Sequence, residues 1–119
     1  MALLTYKTPA LTGTSLAMAA ASVGGDTIRS SPGGVIQMDN TGTPSRKITG
    51  ILVVTNGDST STDVTLVTPG AAADLVIAVA AGATQLIGPL GDELEDPADD
   101  LIDITYSKVT SLTVGAIKL

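Results

Sequence analysis

The sequence predicts an all-β fold, an antiparallel β-sandwich with jelly-roll-like connections and an N-terminal arm. Short runs rich in Val, Ile, Leu and Thr recur along the chain, and clusters of Gly, Pro, Asn, Asp and Ser separate them at intervals of about eight to twelve residues. Thr and Ser together make up 26 of the 119 residues. These residue types suit the solvent-facing positions of strands, so the pattern favours a two-layer β domain.

The central part of the chain reads as two pairs of strands. The runs Lys47–Thr55 ("KITGILVVT") and Asp63–Thr68 ("DVTLVT") flank the turn-like cluster "NGDSTST", and we expect them to form a hairpin. The runs Asp74–Ala80 ("DLVIAVA") and 85–90 ("QLIGPL") flank "AGAT" in the same way. The sequence therefore predicts two successive hairpins.

Two further strands follow an acidic segment. They are Leu101–Ser107 ("LIDITYS") and Ser111–Leu119 ("SLTVGAIKL"), and both alternate with a period of two. Alternation predicts one buried face on each strand. The members of these faces are Ile102, Ile104 and Tyr106 in the first strand and Leu112, Val114 and Ala116 in the second.

The first third of the chain carries weaker signals. "LLTY" reads as a short strand or an extended arm, and Ser15–Ala21 has a helix-favouring composition but is too short for a stable helix alone. Gly33–Asn40 predicts one strand between two turns. We therefore divide the chain into an N-terminal arm and irregular segment over residues 1–34 and a β-sandwich domain over residues 35–119.

Composition excludes several kinds of chemistry. The chain has no His and no Cys, which removes imidazole bases, thiol nucleophiles and the usual zinc ligands. The net charge is −6 and no basic patch is evident, so we expect no nucleic-acid partner. No apolar run reaches the length of a membrane span, and "LTGTSLAMAAASVGG" is a poor signal peptide because polar residues interrupt it.

One acidic segment accounts for the negative charge. Outside it, five acidic residues face six basic ones. Calcium needs six to eight converging oxygens, and this segment lacks the central Gly of a calcium loop while Pro97 stiffens it. We expect a solvated loop that holds no metal, with Leu94 turned inward. Its carboxylates are Asp92, Glu93, Glu95, Asp96, Asp99, Asp100 and Asp103, of which Glu93, Glu95, Asp96, Asp99 and Asp100 are the candidate calcium ligands.

Catalytic arrangements find little support in these residues. Paired carboxylates can hydrolyse glycosides, but two Tyr and no Trp give poor platforms for a sugar ring. Ser107 and Lys108 are the only local candidates for a Ser–Lys pair, and on a strand they point to opposite faces. We therefore expect no enzyme activity, no cofactor and no small-molecule substrate.

Two segments carry a resemblance to a known group of proteins. The run Ile51–Gly70 ("ILVVTNGDSTSTDVTLVTPG") resembles a hairpin of the small head-decoration (minor capsid, or cement) proteins of tailed bacteriophages. The run 79–119, with "VAAGATQLIGPL" and "ITYSKVTSLTVGAI", is similar to their C-terminal part. The resemblance covers about residues 48–119. Ala80 stands where a Pro commonly precedes the Ala-Gly turn, and the acidic loop is more charged.

The resemblance implies a structural virion protein that binds the outside of a capsid and stabilises it. It implies a β-sandwich, a homotrimer, the major capsid protein as partner, and a location on the outer capsid surface. The N-terminal arm is then expected to pair with a capsid subunit or a neighbouring copy. Two alternatives stay open: another virion part, such as a tail or head–tail joining protein, and a calcium-dependent adhesion or glycan-binding β-sandwich.

Overall fold

A computed structural model of the chain defines eleven strands. It describes residues 2–7, 11, 15, 16, 18–29, 36–38, 44–46, 50–70, 73–88, 90, 94–99 and 101–118. The strands are β1 Tyr6–Lys7, β2 Ala19–Ala20, β3 Asp26–Ile28, β4 Ile36–Met38, β5 Pro44–Arg46, β6 Gly50–Asn56, β7 Thr62–Val67, β8 Leu75–Val79, β9 Thr84–Ile87, β10 Ile102–Tyr106 and β11 Leu112–Lys118.

The strands form two main sheets. Sheet 1 has the order β3-β10-β7-β8, and all of its strand pairs are antiparallel. Sheet 2 has the order β1-β11-β6-β9, with β2 also pairing with β11. Its pairs are antiparallel except β1 with β11. Strands β4 and β5 form a separate two-stranded sheet. The prediction of an all-β sandwich is confirmed.

The order of strands is that of a jelly roll. From β6 to β11, consecutive strands alternate between the two sheets except at β7 and β8. Among the described strands of the two main sheets, only β7 and β8 are neighbours both in sequence and in the sheet. Eight strand positions result, because β1 and β2 share one edge of β11. In the sequence, the β4–β5 hairpin lies between β3 of sheet 1 and β6 of sheet 2.

Both predicted hairpins are wrong. Strands β6 and β7 lie in different sheets and do not pair, and the same is true of β8 and β9. Short Gly/Asn/Ser-rich connections can reverse the chain within a sheet or cross between sheets, and strand periodicity is identical in both cases. The true hairpin of this region, β7–β8, is joined by residues 68–74, where the Thr68 N–H donates to Asp74 Oδ1 at 2.9 Å.

The core lies between the two sheets and is aliphatic. The inward faces predicted for β10 and β11 are confirmed, since Ile102, Ile104, Leu112, Val114 and Ala116 are at most 1% exposed and Tyr106 packs against them. Burying each such Val, Leu or Ile stabilises the fold by about 1.5–3 kcal/mol. The other buried members are Leu4, Ala21, Ile28, Leu52, Val54, Val64, Leu66, Val79, Ile87 and Leu90.

The N-terminal segment joins the two sheets along one side. Leu3 forms a parallel bridge to Thr27 on the outer edge of β3, and three residues later β1 pairs with the outer edge of β11. Ala19 and Ala20 form β2 on the same edge of β11, so this Ala-rich run is a strand where its composition favours a helix. An available sheet edge overrides weak helix propensity. No helix in the described part of the chain is long and apolar enough to cross a membrane.

Residues 2–7 and 18–29 therefore belong to the packing of the sandwich. They lie within the range 1–34 that we assigned to an arm and irregular segment. Strand β3 is buried over its whole length and pairs with β10, and Leu4 and Ala21 reach the core. In this structure the arm pairs with strands of its own chain.

Candidate functional site

The acidic segment forms a tight turn around Pro97. Backbone bonds close it: Asp96 N–H donates to Leu101 O at 2.8 Å, and Asp99 N–H donates to Asp96 O at 3.2 Å. The side chains serve the same turn, since Asp96 Oδ1 accepts from Ala98 N–H and Asp99 Oδ1 accepts from Leu101 N–H. Both carboxylates thus act as local turn acceptors.

These contacts bear on the five candidate calcium ligands. Glu93 and Asp100 lie outside the described residues. Within the described ranges, no group of three or more carboxylates is arranged to hold a metal ion. Glu95, Asp96 and Asp99 are the candidates that the structure places, and they do not converge on a common point.

Glu95 departs from the prediction of a fully solvated loop. It is 9% exposed, so the prediction is wrong at this residue. Leu94 packs against the core as predicted, and Glu95 follows it into the body of the protein before the turn begins. Burial, and secondarily the negative charge of Glu95, raise the pKa of Tyr6 far above its usual value. This charge therefore acts on the N-terminal segment.

Asp103 adds to the acidic surface of this region. It lies on the outward face of β10, opposite to the core-facing Ile102 and Ile104. Partial burial, and then the charges of Asp99 and Asp96, raise the pKa of the Asp103 carboxyl. Asp99 and Asp96 therefore both repel the Asp103 carboxylate, and the surface is suited to meet a basic group.

Ser107 and Lys108 do not form a nucleophile–base pair. Ser107 Oγ accepts a hydrogen bond from Asp63 N–H at 2.9 Å. Lys108 Nζ lies 2.6 Å from Asp58 Oδ2 and also contacts Thr60 Oγ1, which ties the 57–61 and 107–111 connections together. The hydrogen bond from Lys108 is the main cause of the lowered pKa of Asp58. Both residues serve loop structure here.

Asp26 is a buried polar residue that the sequence analysis did not single out. It is 1% exposed, and its carboxylate accepts from Ala2 N–H and Ser22 N–H at 3.1 Å each and from Tyr106 OH at 2.7 Å. Burial raises the pKa of Asp26, but the bonds from Ser22, Tyr106 and Ala2 outweigh it, so the pKa lies below its usual value. The carboxylate holds the N-terminal segment against β3 and β10.

The turn before Asp26 requires glycine. Gly25 has φ +102°, and a Cβ there would collide with the backbone carbonyl of Ile104. This close approach brings β3 alongside β10, where Asp26 lies opposite Ile104. The only signal in the sequence was "GGD": a Gly pair of the kind common in turns, followed by a lone acid that is the first residue of the buried strand β3.

Asn56 is another buried polar residue whose role the sequence analysis did not predict. Its Nδ2 donates to Thr60 O at 2.9 Å and to Val79 O at 3.0 Å, and its Oδ1 accepts from Asp58 N–H at 3.0 Å. The side chain is fully buried. It connects the two crossings between sheets, 57–61 and 80–83. An Asn-Gly dipeptide that predicts a hairpin turn therefore supports a connection between sheets in this fold.

The two lateral sides of the sandwich differ. We call the side at β3 and β11 the closed side, because residues 2–7 and β2 pair with those edges. We call the side at β8 and β9 the open side, because no described strand pairs with their outer edges. Leu75, Val76 and Leu86 are exposed there by 48%, 57% and 62%. Both edge strands of the open side therefore expose large apolar side chains.

Comparison with protein-family models, with curated proteins and with solved structures found no match to this chain. The class that the fold defines is an all-β jelly-roll sandwich. What this chain does is inferred below from its own residues and contacts.

Proposed function

We propose that this chain is a structural virion protein that binds the outside of a tailed-phage capsid and stabilises it. The observation that carries the proposal is how the sandwich uses its side chains. The polar groups described above are engaged in holding segments and loops together, while large apolar side chains are exposed both on the open side (Leu75, Val76 and Leu86) and in the N-terminal part of the chain (Leu3, Leu11 and Val23). Such a construction suits a building block of an assembly.

The resemblance supports the same proposal. The resemblance covers about residues 48–119, which contain strands β6 to β11. For each connection between the two sheets in this C-terminal part, it therefore includes the strand before the connection and the strand after it. The implied partners are the major capsid protein and two further copies in a homotrimer. The acidic surface of Asp96, Asp99 and Asp103 would then face solvent or a basic patch on a neighbouring subunit.

The test mixes purified protein with undecorated shells of its own phage. We expect saturable binding at a fixed ratio to capsid subunits and a higher temperature of shell disruption, because many weak contacts on a repeated surface add up. Shells that bind no protein would refute the proposal.

Microscopy of intact virions separates the proposal from the alternative virion roles. Copies distributed over the head surface support decoration. A ring at a single vertex, or copies along the tail, would indicate a head–tail joining or tail protein and contradict the proposed location.

A further inference from the structure

The edge strand of sheet 1 has an unusual composition for an exposed edge. Strand β8, Leu75–Val79, contains no charged residue and no Pro, and its outer edge has no described partner. Natural sheets protect such edges with Lys, Pro, bulges or a covering segment. The closed side has its covering segment in residues 2–7, whereas β8 has none among the described residues.

The charge distribution selects the occupant of this edge. The whole run 75–91 is uncharged, although the chain carries a net charge of −6. Two copies of an acidic chain repel each other where their carboxylates approach. The open side is a place where two copies meet without that repulsion, and a partner of opposite charge would gain no ion pair there.

The side chains of β8 also complement themselves. Leu75, Ile77 and Val79 share the inward face, since they lie opposite Leu66, Val64 and Thr62 of β7. Val76 and Ala78 point outward and are exposed. In an antiparallel pair of two β8 strands centred on Ile77, Leu75 lies opposite Val79 and Val76 lies opposite Ala78. Every apolar side chain then meets an apolar neighbour.

We propose that a second copy of this chain pairs with β8, antiparallel and about a two-fold axis at Ile77, so that sheet 1 continues from one protomer into the other. In this register the two Asp74 residues are six positions apart along the strand, about 20 Å, and salt screens them at that separation. This contact is a two-fold association between copies of the chain, separate from any association that the proposed capsid role requires. It does not depend on that role.

The first test measures mass by light scattering over a concentration series. Val76→Lys places two like charges about 7–8 Å apart across the two-fold axis and opposes edge pairing. We expect the mass of this variant to be half that of the wild type. The matched control is Thr105→Lys, which puts the same charge on the same face two strands inside the edge and retains the wild-type mass.

Two variants with one cysteine each then test the register of the proposed strand pairing, because the natural chain has no Cys. Ile77→Cys lies on the axis, where facing Cα atoms are about 4.5–5.5 Å apart and a disulfide can form. Leu75→Cys is about 13 Å from its own copy and should not cross-link. Equal masses for Val76→Lys and wild type, or cross-linking by Leu75→Cys but not by Ile77→Cys, overturns the proposal. Neither result decides whether the protein binds shells, so each of the two proposals can be refuted without the other.

Discussion

The closed and open sides of the sandwich solve the same problem in different ways. Both sides begin as strand edges with unpaired backbone groups next to an aliphatic core. On the closed side, five residues of N-terminal chain cross from β3 to β11 and bury Leu4. On the open side, β8 and β9 leave Leu75, Val76 and Leu86 exposed. The chain thus covers one pair of edges with its own N-terminal segment, whereas no described strand covers the other pair.

The two sides also differ in what holds them. The closed side depends on a charged residue, Asp26, which gathers Ala2, Ser22 and Tyr106. The crossing loops beside the open side depend on a neutral one, Asn56. Both aromatic residues of the chain belong to the closed side, since Tyr6 OH donates to Arg29 O next to β3. The junction of the closed side is therefore ionisable, whereas the junction of the crossing loops is neutral.

Deleting residues 2–7 should have the largest effect. It removes Leu4 from the core, where loss of a buried Leu side chain alone costs about 2–5 kcal/mol. It also leaves the outer edge of β3 and the Ala116–Ile117 part of the β11 edge unpaired. We expect a loss of about 4 kcal/mol or more in the free energy of unfolding by urea titration, with new aggregation in light scattering.

The point variant Leu4→Ala keeps this comparison measurable if the deletion fails to fold. Its expected cost is about 3 kcal/mol, because Leu4 is buried. Leu86→Ala makes the same truncation on the open side, where the side chain is 62% exposed, and should cost far less. Equal costs for the two variants would mean that the sides do not differ in packing.

Asp26→Ala comes next. It leaves two backbone N–H groups and one hydroxyl without their acceptor, and we expect a loss of about 3 kcal/mol at pH 7 by urea unfolding. Tyr106→Phe removes one of those bonds and should cost about 1 kcal/mol. A cost for Asp26→Ala no greater than that of Tyr106→Phe would contradict the role of the carboxylate as a junction.

The pH dependence sharpens the same comparison. The pKa of Asp26 is lowered in the folded state, so its stabilisation is present above its unfolded value of about 4 and is lost as the pH falls through the folded pKa. The difference between wild type and Asp26→Ala should therefore shrink in acid. Asn56→Ala, which removes a neutral junction, should lower the free energy of unfolding by about 2–3 kcal/mol, and this loss should be the same in acid as at pH 7.

Asp103→Asn should have the smallest effect, and of opposite sign. Partial burial and the charges of Asp99 and Asp96 raise the folded pKa of Asp103, so its ionised form destabilises the fold above that pKa. The variant should gain about 0.5 kcal/mol at pH 7 and nothing below pH of about 3.8, the unfolded value. Asp63→Asn controls for net charge alone. A loss of stability in Asp103→Asn at pH 7 would contradict this assignment.

From β6 onward, strand positions and buried faces followed from the sequence, but strand pairing did not. Strands β2 and β3, within residues 1–34, were not predicted. Alternation placed Ile102, Ile104, Leu112 and Val114 in the core, because side-chain period depends only on the local chain. Pairing depends on whether a turn stays in one sheet or crosses to the other. That choice is made by contacts such as Asn56 with Val79, which join residues far apart in sequence.

The site residues divide in the same way. The acidic segment was visible as composition, and the turn around Pro97 agrees with it, but the burial of Glu95 was not predictable from a run of charges. Asp26 escaped notice because an isolated acid gives no pattern. Its importance arises from donors at positions 2, 22 and 106, which only the folded chain brings together.

The jelly-roll order has a consequence for how the protein is made. Strand β6 pairs mainly with β11, and β3 pairs with β10. Neither sheet can therefore be completed until β10 and β11 have been synthesised. The one early hairpin of the sandwich is β7–β8. Folding dominated by such distant pairings is slow, and most of the chain has emerged from the ribosome before the core can form. During that interval the uncharged run 75–91 is exposed, and chaperone binding to nascent chains should concentrate there.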